Sequence, residues 1–419
     1  MSQSEAVNGS QEWSRRFHRY WLGEASSSLG NQIGQVAIPL LAVYTLRANS
    51  FQMGLLRGAE TLAPLLFGWF IGAIVDQRDS KALMIFSDGA RLLLLTVVAL
   101  LAFTHVLTLQ LLYLALFIFA TLSLLFDNGA VVTLPVVVPE DKLAWANGRV
   151  QMSVAVGDFI GPGAAGVLIQ IFSAPLAIFV EALTFGLSIL GISQLRLPAP
   201  SDSHRDKKGV FREAVNGIKY VLTDRALRPM GIATLISTFC TDASFAIIPL
   251  FIVRTLHINP IGLGIAFALP GAVAIFTASK ASALLQRYGI RRLIISCYLV
   301  SAACSTLLAL CPRGIEWLPI LCLALGGWSA SVVVNLVVST TYIMQRAPRE
   351  SLGAVNGAMR FFALATAPIG SVLGGLLGQS LGMRISLATF GLTAAFAVSP
   401  LLTPSSKNAF GDYGSIDQA

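Results

Sequence analysis

Charge is what this 419-residue chain has little of: Asp, Glu, Lys and Arg together make up 12% of it, against 55% hydrophobic residues. Soluble domains carry roughly twice that share of charge, so the polar side chains are too few to cover a water-borne globule, and the bilayer must be the solvent. Long polar tracts are equally scarce, which leaves no room for a sizeable soluble domain. Cysteine is sparse: Cys240, Cys297, Cys304, Cys311 and Cys322 all lie in the second half, inside apolar runs, without the close pairs of a zinc site or redox motif. They read as free thiols, and the seven-residue recurrence of Cys297, Cys304 and Cys311 sets small packing residues on one helical face. His18, His105, His204 and His257 fall at or outside the ends of the apolar runs, so no His-rich cluster is expected within the membrane. Walker-type phosphate loops are missing, and the basic residues form no patch interleaved with aromatics. No metal, cofactor or nucleic-acid partner is therefore expected, and the chain is not expected to be an enzyme.

What is present is a series of apolar runs, each near the roughly 20 residues that a membrane-crossing helix needs. They predict spans at 20–46, 53–75, 82–104, 109–134, 148–170 and 174–194, then at 228–253, 261–284, 291–311, 317–343, 353–378 and 384–402. The expected fold is all-α, a polytopic membrane protein with twelve transmembrane helices in two pseudo-symmetric six-helix bundles. Its expected divisions are a cytoplasmic tail at 1–19, a first bundle at 20–195, a cytoplasmic linker at 196–227, a second bundle at 228–402 and a tail at 403–419. The first residues lack the short apolar core and cleavage site of a secretory signal, so the first run is expected to be retained as a span. The linker contains Ser201-Asp-Ser-His-Arg-Asp-Lys-Lys208, which cannot enter a membrane. Its later part carries Val215, Ile218, Val221 and Leu222 at helical spacing and is expected to lie along the membrane surface.

Lys and Arg near span ends stay in the cytoplasm. Alternating the connections leaves only Arg47, Arg254, Arg313 and Arg384 on the side opposite the N-terminus, while Arg57, Arg91, Lys280 and Arg360 fall within spans. Both termini are therefore expected in the cytoplasm, which requires an even number of spans. A repeat supports the six-plus-six division. A shift of 209 positions carries Pro139, Leu143, Asn147 and Gly148 onto Pro348, Leu352, Asn356 and Gly357, and later Gly161, Gly166 and Gln170 onto Gly370, Gly375 and Gln379. Such a parallel repeat of six spans is the pattern of a duplicated half-transporter.

In the fifth span, Gly157, Gly161 and Ala165 share a ridge that lets another helix approach closely, continued by Gly166. Pro162 withholds its N–H from the carbonyl of Asp158, so a bend and an acid coincide there. The eleventh span echoes this with Pro368, Gly370, Gly374 and Gly378. These residues serve either tight packing or a pliable interface that opens and closes. Between the second and third spans, Gly72, Asp76, Arg78, Asp79 and Lys81 interleave acids and bases in a tight cytoplasmic turn suited to holding that side shut. Gln286 to Arg292 is its counterpart in the second half, and a plain positive-inside loop is the alternative reading of both.

The chain resembles the major facilitator superfamily, specifically its drug and proton antiporter branch of macrolide-efflux type. The resemblance rests on Arg19-Tyr-Trp-Leu-Gly23 with Ser28-Leu-Gly30, the Gly72 to Lys81 loop, Ser87-Asp88 with Arg91, and Phe126-Asp127 before Pro139-Glu140. Ala146-Asn147-Gly148, Gly161-Pro162 and Glu181-Ala-Leu-Thr-Phe185 complete it. It implies a secondary active transporter of the bacterial cytoplasmic (inner) membrane, exporting drugs or secondary metabolites by proton antiport through alternating access, with small molecules, protons and membrane lipid as partners and a monomer as the working unit. Two positions depart from the pattern: Gln77 stands directly after Asp76 where a base is usual, and Asn31 stands where many relatives carry an acid.

A charge inside the bilayer costs at least a few kcal/mol unless it is paired or faces water, so each is a candidate for function. Arg57 with Glu60, and Asp88 with Arg91, are spaced one turn apart and can neutralise each other. Pro64 leaves the carbonyl of Glu60 without its helical partner. Asp127, Asp158, Glu181 and Asp242 have no base one turn away. The expected proton carriers are Asp242 first, then Glu60 or Asp158, with Asp127 and Glu181 as further candidates. Asn31, Gln32 and Gln35 of the first span, with Asn335 and Ser339 of the tenth, are expected to supply hydrogen bonds in an otherwise apolar cavity, and Phe239, Phe245, Trp328 and Met344 an adaptable apolar surface. So few fixed charges suit amphipathic or weakly cationic substrates. The rival readings are a dedicated exporter of one metabolite such as a siderophore and, from another class, a non-transporting sensor or scaffold.

Overall fold

The computed structural model describes residues 3–75, 78–195, 207–348 and 351–403, and among these every regular element is helical. The first six are α1 (Gln3–Leu40), α2 (Ser50–Val75), α3 (Ser80–Phe103), α4 (Leu109–Val137), α5 (Leu143–Ile171) and α6 (Ala174–Ser193). After the linker come α7 (Lys207–Thr223), α8 (Leu227–Leu250), α9 (Pro260–Tyr288), α10 (Ile290–Leu310), α11 (Leu318–Arg346), α12 (Leu352–Ala365), α13 (Ala367–Ser380) and α14 (Met383–Ala395). Each of the twelve expected spans falls on helix. The eleventh is divided into α12 and α13 at Thr366, immediately before the proline-containing Ala367-Pro368 step. Ten helical segments among the described residues are long and apolar enough to cross a membrane. The polar residues Asn31, Gln32 and Gln35 dilute the first span.

Two compact packing units emerge. One comprises Met1–Ala48 and Leu62–Arg205; the other comprises Asn49–Thr61 and Asp206–Ala419. The first turns of α2 therefore pack with the second half of the sequence. In the first unit, Phe17, Tyr20, Met84, Phe126, Leu134 and Ile192 close a core among α1, α3, α4 and α6. In the second, Val221, Met230, Tyr298, Val338, Tyr342 and Val355 do the same. Outer faces are apolar as well: Phe70, Val131, Phe276 and Leu310 are each more than 60% exposed, far more apolar surface than a water-soluble protein tolerates.

The duplication is visible in detail. α1 and α8 each end in a π-helical turn, Leu41–Thr45 and Phe251–Thr255. A left-handed residue follows in each case, Arg47 with φ 53° and His257 with φ 58°. An asparagine then caps the next helix: Asn49 Oδ1 accepts from Gln52 N–H and Asn259 Oδ1 from Gly262 N–H, both at 2.9 Å.

α7 bears on α12 rather than standing alone. Gly217 is buried against the backbone of Ala354, leaving no space for a side chain, and Val221 is fully buried beside it, while Val215 and Leu222 remain exposed. The turn into α8 is fixed by Asp224, whose carboxylate accepts from the N–H groups of Ala226 and Leu227 at 2.8 and 2.9 Å and from Arg346 Nε of α11 at 3.1 Å. Partial burial pushes the Asp224 carboxyl up, but the Leu227 N–H, the Arg346 side chain and the Ala226 N–H outweigh it and hold the group below the usual carboxylate range. A depressed folded-state value means stability present above the unfolded value, near 3.9, and lost as pH falls through the folded one. Replacing Asp224 with Asn should lower thermal stability in detergent at pH 7, and the gap to the unaltered protein should narrow only below about pH 4. A gap that closes between pH 8 and 6 instead would assign the effect to another group.

Candidate functional site

The close approach of α2 to α13 builds the first charged cluster. Gly54 and Gly375 face each other so tightly that a β-carbon on Gly54 would lie 2.8 Å from Gly375 Cα and 2.6 Å from Ser371 O. Gly370 and Gly374 bring α13 equally close to the backbone of α8 at Phe239 and Ala243, and Gly378 meets Ile247. Glycine on both contacts is what lets three backbones converge. One turn along α2 from Gly54, Arg57 donates from Nη1 to Glu60 Oε2 at 2.8 Å and from Nη2 to Asp242 Oδ1 at 3.4 Å. Asp242, which has no base on its own helix within one turn, thus receives one from 185 positions away. The Asp242 side chain is 11% exposed, but Arg57 and Glu60 are 35% and 41% exposed. Charges within a membrane-spanning segment are costly unless they are paired or reach water, and here each acid pairs with Arg57.

A second cluster lies wholly in the first unit. Arg91 and Asp88 of α3 are both fully buried and pair one turn apart. The guanidinium also donates to Ser27 Oγ at 3.1 Å and Ser123 Oγ at 3.4 Å, and its plane is flanked by Phe126 and Phe185, 4.6 and 4.4 Å from their ring centres. Asp127 and Glu24 stand within electrostatic reach of it. Glu24 is absent from the residues singled out by sequence. It lies inside the first predicted span, one turn before Ser27 and two before Asn31, and that shared helical face was the available signal.

The remaining candidates are distributed as follows. Asp158 is half-buried on α5, with no ion pair among the described residues. Glu181 is fully buried, and its carboxylate fills the space that a side chain at Gly34 would need. Gly157 and Gly161 pack against α1, where a β-carbon on Gly161 would sit 2.5 Å from Gln32 Cβ, with Pro162 and Gly166 buried beside them. The ridge is thus an α1–α5 contact, and Gln32 is held by it, while Asn31 is half-buried and Gln35 exposed. On α11, Ser339 donates to Asn335 Oδ1 at 3.3 Å. In the turn after Gly72, Asp79 caps α3 by accepting from Lys81 N–H at 2.9 Å. Lys81 Nζ donates to the carbonyls of Ser193 and Leu195 at the end of α6, at 2.8 and 2.6 Å, and Arg78 is exposed. Among the described residues, Lys81 Nζ is thus engaged by backbone carbonyls. Asp76 lies outside the described residues. All five cysteines are free, and no group of three metal-ligating side chains is found among the described residues.

The chain is similar to known proteins. Macrolide efflux protein A of Streptococcus pyogenes is 24% identical over 376 residues, covering 89% of this chain and 91% of that one. Multidrug efflux pump Tap of Mycolicibacterium fortuitum is 26% identical over 383 residues, covering 88% and 90%. The crystal structure of the nucleoside transporter NupG superposes with a TM-score of 0.73 at 10% identity, over 93% of this chain and 99% of that one, which is a likeness of fold. The family model of the Major Facilitator Superfamily matches residues 20–368 and 230–410, and the chain, a multi-pass helical membrane protein with a duplicated six-span pattern, belongs to that superfamily.

Proposed function

We propose that this protein exports amphipathic, neutral or singly cationic small molecules across the bacterial cytoplasmic membrane, both termini in the cytoplasm, and that protons moving inward drive it by alternating access. The names of its relatives, a macrolide exporter and a multidrug pump, support the substrate class. The bundles at 20–195 and 228–402 are the two halves of this reading. One observation carries the coupling: a single guanidinium serves two carboxylates, Glu60 and Asp242, whose charges it cannot both balance. With both acids ionised the trio carries one uncompensated negative charge, and in a medium of low dielectric that charge is costly. Binding a proton at Asp242 neutralises it while Arg57 keeps its shorter bond to Glu60. Losing that proton to the cytoplasm restores the charge and resets the site.

Purified protein in proteoliposomes, loaded with a macrolide and given an imposed pH gradient, tests this directly. Export should rise with the gradient and collapse when an ionophore dissipates it. Export indifferent to the gradient removes proton coupling, and a panel in which only one compound moves favours a dedicated metabolite exporter over a broad one.

A further inference from the structure

We propose that Trp328 is a specificity residue: its indole N–H donates a hydrogen bond to an oxygen of the transported molecule, so that this site reads carbonyl, ether or hydroxyl acceptors on amphipathic substrates. The inference rests on the export reading above and names the substrate chemistry within it.

Sequence alone gives Trp328 only an apolar role. The structure places it 3% exposed on α11 with its Nε1–H lacking any acceptor among the described residues. A buried donor without a partner carries the full cost of leaving water, and such groups are rare in native folds unless something else completes them. The neighbouring hydroxyls do not serve it: Ser331 Oγ donates to the Trp328 carbonyl at 2.7 Å, Ser329 Oγ donates to the Pro270 carbonyl of α9 at 3.1 Å, and neither oxygen accepts from Nε1.

Aromatic rings of neighbouring helices surround the indole. Phe245 of α8 lies 5.1 Å from the Trp328 ring, tilted by 51°, and Phe267 of α9 lies 6.5 Å from Phe245. Both phenylalanines are only partly buried, so rings from three helices line a surface with accessible area. α8 and α11 run antiparallel here, since Asp224 meets Arg346 at one end and Phe245 meets Trp328 further along. Asp242, one turn before Phe245, therefore falls near the level of Ser329 and Ser331. Flat rings accept many shapes, whereas an unmet donor discriminates between ligands that can fill it and those that cannot.

Equilibrium binding to the purified full-length protein in detergent, measured by titration calorimetry with two probes, decides this. Erythromycin carries carbonyl, ether and hydroxyl oxygens; tetraphenylphosphonium is an aromatic cation with no oxygen at all. Trp328→Phe keeps a ring and removes the donor. It should weaken erythromycin about tenfold, the effect of one hydrogen bond to a buried group, and leave tetraphenylphosphonium within about twofold. The second probe also reports that the site remains folded. Unchanged erythromycin binding, an equal loss for both probes, or an unaltered protein that binds neither would each overturn the assignment. Because no gradient is applied, failure of proton coupling in vesicles leaves this result standing, and its failure leaves proton-driven export standing.

Discussion

Asp242→Asn is expected to abolish gradient-driven export while leaving substrate binding and substrate exchange across the membrane in place. Asparagine preserves the volume of the side chain and, through its carbonyl, an acceptor for Arg57 Nη2, which lies 3.4 Å from the carboxylate. It cannot take up a proton, and it removes the negative charge whose appearance and disappearance reset the site. The distinction between coupling and collapse is therefore experimental. A protein that has merely lost its fold stops both processes, whereas one that has lost its proton site stops only net movement against the gradient. Glu60→Gln is the informative companion, because Glu60 holds the shorter bond to Arg57 and the more exposed position. Should both variants still concentrate substrate in response to a pH gradient, the trio is not the proton site, and the carboxylates of the first unit become the place to look.

The largest effect on stability is expected at Arg91. Its guanidinium is fully buried, pairs with the fully buried Asp88 and sits between two aromatic rings. Removing one partner of such a pair strands the other charge and typically costs about 3–5 kcal/mol, so Arg91→Met should lower the melting temperature in detergent by many degrees. Replacing both groups, Arg91→Met with Asp88→Leu, removes the stranded charge and should recover a substantial part of the loss. Recovery should stay incomplete, because Asp127 also lies in the field of Arg91 and loses its compensation. An Arg91→Met protein as stable as the original would mean that Asp88 finds compensation elsewhere, and the centre would lose its structural role.

How much of this was legible follows from what each signal depends on. The spans depend on local composition, and every apolar run of the sequence became helix. The duplication was read from a handful of matched residues in the fifth and eleventh spans. It recurs in features no such match displays, the paired π-helical turns and the left-handed Arg47 and His257. The glycine ridges were recognised as contacts, but not their partners: Gly157 and Gly161 meet α1, and Gly370 and Gly374 meet α8. Charged pairs one turn apart, Arg57 with Glu60 and Asp88 with Arg91, were visible because a helix fixes their distance. The base that serves Asp242 was not, since nothing local relates position 57 to position 242.

By itself the sequence determined the solvent, the helical class, the number of crossings expected and the family pattern, because these follow from residue-by-residue hydrophobicity and short-range spacing. Tertiary structure alone decided which charges share a site, that the opening turns of α2 pack with the second half of the chain, and that the Trp328 donor has no partner among the described residues. Those facts rest on backbones that approach within a few ångströms at Gly54, Gly374 and Gly375. Such approaches are set by the packing of whole helices, which no stretch of one helix encodes alone.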